Sequence, residues 1–134
     1  MRHRMQRFRL RRMMGRMLRK IDCVMVRVPE VASAVEFYTR VFGLRPLWRD
    51  EASAGLGMPE TDAEVVLHTM DLPGDRPVHY LVDDVPEAVA MARRAGCAVR
   101  EGPFDVAIGR CAVLEDPFGN PVCLLDLSKG PRPA

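Results

Sequence analysis

No apolar run in the 134 residues reaches the ~20 residues a helix needs to cross a bilayer. Cysteine is sparse, and Cys23, Cys97, Cys111 and Cys123 show no C-x-x-C spacing. No secretory apolar region precedes them, so reduced thiols in a cytoplasmic protein are the expectation. Aromatics are few, with a single Trp, two Tyr and five Phe. Nucleophile–base pairs and phosphate-cradling loops are lacking too, because Gly55-Leu56-Gly57 has no strand-to-helix context. Acid is absent from residues 1–20, which hold eight Arg and one Lys. The whole chain carries +2, so residues 21–134 carry −7, and an acidic body follows a basic extension.

Leu10, Met13, Met14, Met17, Leu18 and Ile21 fall on one helical stripe, with Arg11, Arg12, Arg16 and Arg19 off it. Such a helix suits an anionic membrane surface, a nucleic acid, an organelle presequence or another partner protein. The lack of Ser speaks against a presequence. The acidic body and a lone Phe speak against nucleic acid, so no nucleic acid is expected as a partner. Docking on the chain's own body, or a start codon placed too early, are the plainer readings.

The body, residues 21–128, follows one grammar twice, over 21–70 and 78–127, with 129–134 as a tail. Cys23 to Val28 alternates as a strand. Val31, Val35, Tyr38 and Phe42 mark a helix face, and Gly43 ends it. Leu47-Trp48 begins a further strand. Small and acidic residues between Asp50 and Asp62 suggest a mobile loop around a short strand. Val66, His68 and Met70 then share a strand face.

In the second half, His79, Leu81 and Asp83 share a strand face, and Asp84-Val85-Pro86-Glu87 fits a helix capping box. Val85, Ala88, Val89 and Ala92 form the buried helix face, with Gly96 as its stop. Phe104 to Arg110 reads as a loop. Asp116-Pro117-Phe118-Gly119-Asn120 is a tight hairpin turn between the last strands. Cys23 and His79 are separated by nearly the same interval as His68 and Cys123. That spacing predicts a pseudo-dyad relating the halves, with all four side chains in one cleft, and equivalent positions for Arg27 and Asp83, which would pair at the sheet edge.

Ile21-Asp22-Cys23-Val24, Phe37-Tyr38-x-x-Val41-Phe42-Gly43-Leu44, His79-Tyr80-Leu81-Val82-Asp83-Asp84 and the Asp116–Asn120 turn together resemble the vicinal oxygen chelate superfamily. This superfamily includes glyoxalase I, bleomycin-resistance proteins and extradiol dioxygenases. The resemblance covers residue 21 to about residue 128 and implies an α+β fold. Two β-α-β-β-β modules would form a curved mixed sheet around a cleft, often in a homodimer; a ferredoxin-like fold ranks second. Whether the modules pair within one chain or between two stays open.

Metal-using members carry ligands, usually His or Glu, on the first and last strand of each module. The corresponding positions here are Cys23, His68, His79 and Cys123, of which His79 matches. A divalent metal such as Zn, Ni or Fe is thus one expectation, although two thiolates and two imidazoles would close a tetrahedral shell to substrate. The other expectation is an apolar pocket lined by Cys23, Met25, Trp48, Val66, His68, His79, Leu81, Phe104, Cys123 and Leu125. Trp48 and Phe104 would stack on an aromatic ligand, and His68 and His79 are the acid–base candidates. The leading expectation is a small-molecule binding protein. The alternatives are a metal-dependent lyase, isomerase or dioxygenase, and an interaction protein acting through its basic N-terminal helix.

Overall fold

The computed structural model describes residues 17–71 and 78–130. Alternating apolar positions build strands, and the two amphipathic stretches build helices that cover one face of the sheet. The first module runs β1 (Lys20–Arg27), α1 (Val31–Phe42), β2 (Arg45–Arg49), β3 (Ser53–Met58) and β4 (Thr61–His68). The second runs β5 (Val78–Leu81), α2 (Val85–Arg94), β6 (Ala98–Val106), β7 (Gly109–Glu115) and β8 (Pro121–Leu125). The strands form one eight-stranded mixed sheet in the order β2-β3-β4-β1-β5-β8-β7-β6. Each module has the β-α-β-β-β order, and the modules join within one chain through the antiparallel β1–β5 pair. A ferredoxin-like fold would leave the additional strands unused.

Local chemistry sets the helix ends. Gly43 takes a left-handed φ of 71° and its N–H donates to the Tyr38 carbonyl, closing α1. Asp84 caps α2 by accepting from the Glu87 N–H at 2.9 Å. The Asp116 carboxylate accepts from the N–H groups of Phe118 and Asn120, organising the β7–β8 turn. These bonds hold its pKa below the ordinary carboxylate value, the contacts with Asn120 contributing most. Val85, Ala88, Val89 and Ala92 of α2 pack on Ala112, Leu114 and Leu124 to make the second module's core. Met17 packs against the same cluster.

Several expectations change here. The helical stripe of the extension does not run through Ile21, which lies in β1, because Lys20 and Ile21 pair with Leu81 and Tyr80. Its part over residues 1–16 lies outside the described residues. The stretch between Asp50 and Asp62, expected as a loop around a short strand, holds that strand as β3, and its first five residues are all buried. Phe104 to Val106 likewise belong to β6. Arg27 does not pair with Asp83: it faces Asp71 at 3.7 Å, and Asp83 pairs with Arg19 at 3.1 Å.

Candidate functional site

Side chains alternate across a strand, so hydrogen-bond register determines which residues share the face opposite the helices. One row crosses the middle of that face: Glu64 on β4, Cys23 on β1, His79 on β5, Cys123 on β8 and Val113 on β7. Cys23 and Cys123 thus flank His79 from either side. Beside this row lie Trp48, Gly55, Val66 and Met25 in the first module. Leu81, Leu125, Cys111 and Phe104 occupy the corresponding places in the second. Trp48 opposite Gly55 and Phe104 opposite Cys111 therefore hold equivalent positions about the pseudo-dyad.

The ten pocket residues expected from sequence all fall on this face, but His68 stands apart from the central row. Glu64, not His68, is the β4 neighbour of Cys23, and His68 pairs with Arg27 of β1 and Ser53 of β3. Four residues of strand put His68 ~13 Å along β4 from Glu64. The interval arithmetic misplaced it because loops of different length separate the strands of each module, whereas backbone pairing alone aligns them. Glu64 carried a usable signal, since it shares the two-residue alternation of Val66 and His68.

The first-module wall is built by Trp48. A bulge in the β2–β3 ladder falls between Pro46 and Trp48. Trp48 lies over Gly55 and donates its indole N–H to Glu64 Oε1 at 2.5 Å. A Cβ on Gly55 would come within 2.0 Å of Trp48 Nε1 and 2.6 Å of Glu64 Oε1. Leu47 covers Gly57 in the same way, its Cδ1 lying 3.1 Å from the place of a Cβ. Two glycines in β3 thus let neighbouring side chains lie flat across the strand. In the second module, Phe104 is 36% exposed, and Ile108, Cys111 and Leu125 form a small apolar cluster beside it.

His68 is 4% exposed, and its Nδ1 has no hydrogen-bond partner. Burial lowers its pKa; the Met70 backbone opposes that shift and the Arg27 charge adds to it. The ring is therefore neutral at pH 7. At the central row, the Glu64 carboxylate is engaged by Trp48. Among the described residues, no three His, Cys, Asp or Glu side chains are grouped to hold a metal ion. The donors as arranged do not fit a divalent-metal centre.

The family model of the Glyoxalase/Bleomycin resistance protein/Dioxygenase superfamily matches residues 20–124. Methylmalonyl-CoA epimerase from Mycobacterium tuberculosis is similar in structure, with a TM-score of 0.67 at 17% identity, over 87% of this chain and 91% of that one. The epimerase of Streptomyces coelicolor, in complex with 2-nitronate-propionyl-CoA, gives 0.66 at 20%, over 83% and 99%. A hypothetical protein from Bacillus halodurans C-125 gives 0.68 at 15%, over 85% and 98%. No match is found among curated protein sequences. With the paired modules and a family match over most of its length, the chain belongs to the Glyoxalase/Bleomycin resistance protein/Dioxygenase superfamily.

Proposed function

We propose that this protein binds a small organic molecule with a flat apolar ring in the cleft between its two modules. The observation that carries this reading is the indole of Trp48, laid over Gly55 and pinned by Glu64. Holding a ring in advance lowers the ordering cost of stacking a ligand on it. Phe104 supplies the second wall. Val66, Leu81 and Leu125 supply apolar surface, and His79 at the centre supplies a polar contact.

A second reading draws on the structural neighbours, among them methylmalonyl-CoA epimerases with acyl-CoA ligands bound. In that case the cleft takes the acyl end of a thioester, and Glu64 and His79, on either side of Cys23, exchange protons with it. Loss of turnover in Glu64→Gln and His79→Gln with binding retained would favour it over simple binding.

The sole Trp makes the first reading directly measurable, because intrinsic emission reports on Trp48 alone. Titration with neutral bicyclic aromatics, 2-naphthamide among them, is expected to shift or quench that emission at saturation. Trp48→Ala is expected to weaken calorimetric binding about tenfold, the worth of one aromatic pair. Unaltered emission across the series, or unchanged affinity in Trp48→Ala, would exclude the aromatic wall.

A further inference from the structure

His68 is a buried polar side chain that the central row does not use. Its Nδ1 is unpartnered, although buried polar atoms in native proteins are nearly always satisfied. It stands on the cleft face, two residues beyond Val66, whose β3 neighbour Gly55 lies beneath Trp48. Arg27 is its register neighbour on β1 and Ser53 its neighbour on β3. The Arg27 side chain is two-thirds exposed and faces the exposed Asp71 at 3.7 Å. That separation exceeds the ~2.7–2.9 Å of a good charge-assisted bond, so a better-placed acceptor can displace Asp71.

We propose that the end of the cleft marked by Ser53, His68 and Arg27 is an anion subsite for a carboxylate on the ligand. This rests on the aromatic-binding reading above and adds the ligand's chemical class: a flat ring bearing an acid group. Nδ1 is sealed as the ring stands, so a carboxylate beside Arg27 meets it as the ring turns and then favours a proton on the ring, whose Nδ1–H donates to it. The other charged groups at this end are Asp71, just beyond β4, Arg49 at the end of β2, and Asp50 and Glu51 between β2 and β3. Asp50 is already committed, accepting from the N–H groups of Ala52 and Ser53 and from the Ser53 hydroxyl.

Calorimetric titration of the full chain with 2-naphthoate and 2-naphthamide tests the assignment. The acid is expected to bind about tenfold more tightly than the amide, the worth of one charge-assisted hydrogen bond. Both His68→Gln and Arg27→Gln are expected to abolish most of that preference while amide affinity is kept. Arg27 is exposed, so its variant keeps the test decisive even if the His68 variant folds poorly. Equal affinity for the two compounds, or a preference that survives both substitutions, overturns the anion subsite and leaves the aromatic wall standing. Failure of both compounds to bind overturns the two readings together.

Discussion

Replacing Asp126 by Ala is expected to lower unfolding stability by ~3–5 kcal/mol, a large share of the ~5–15 kcal/mol that holds a domain folded. Asp126 is 1% exposed. Its Oδ2 accepts from the Val85 N–H at 2.8 Å, at the first turn of α2. Its Oδ1 accepts from the Arg110 N–H at 2.9 Å and the Ser128 hydroxyl at 2.7 Å. One carboxylate therefore ties the start of α2, the start of β7 and the chain beyond β8. Alanine leaves those donors buried and unsatisfied, and each unsatisfied group costs ~1–3 kcal/mol.

Asp126→Asn is expected to cost less, ~1–3 kcal/mol, because the amide oxygen still serves one set of donors while its NH₂ faces the other. Burial raises the Asp126 pKa, but the bonds from Val85, Ser128 and Arg110 outweigh it, and the folded value lies below 3.8. A depressed folded pKa stabilises the fold above the unfolded value and loses that contribution as pH falls through the folded one. The difference between the parent and Asp126→Asn is thus full above about pH 4 and shrinks in stronger acid. Denaturant titration of both at several pH values measures it. A gap that widens on acidification would contradict the assignment.

Gly55→Ala is expected to damage the site more than the fold. The new Cβ would sit 2.0 Å from Trp48 Nε1 and 2.4 Å from Cε2, so the indole must swing off β3 and give up Glu64. Trp emission should move to the red as the ring enters water, and binding of flat aromatics should fall more than tenfold. The stability cost is expected at ~1–3 kcal/mol, the range for overpacking. Trp48→Ala in the same background should recover part of it, because the clash partner is gone. Such non-additivity marks contact between the two positions. An unchanged emission maximum in Gly55→Ala would mean that the indole does not lie across that strand.

Much of the architecture was legible because it depends on local pattern. The repeated strand–helix order, the Gly43 stop, the Asp84 cap and the Asp116 turn each follow from residues within one or two turns of chain. β3 was legible only as an unplaced short strand inside a loop, since Ser-Ala-Gly-Leu-Gly-Met resembles a loop in composition. Its small residues are there because Trp48 and Leu47 lie across them, a requirement that arises only once β2 is alongside. Glu64 was overlooked for a related reason. Its alternation with Val66 and His68 places it on their strand face, but only β1 and β2, by bringing Cys23 and Trp48 to it, set it in the central row.

The amino-acid sequence alone determined that two like modules exist, where their helices stop and which strand faces are apolar. These follow from backbone dihedral preference and from the two- and 3.6-residue periodicities. Tertiary structure alone decided that Glu64 joins the row of Cys23, His79 and Cys123, and that His68 stands at the far end beside Arg27. Interstrand hydrogen bonding sets that alignment, and shifting a strand by two residues keeps its faces while changing every neighbour.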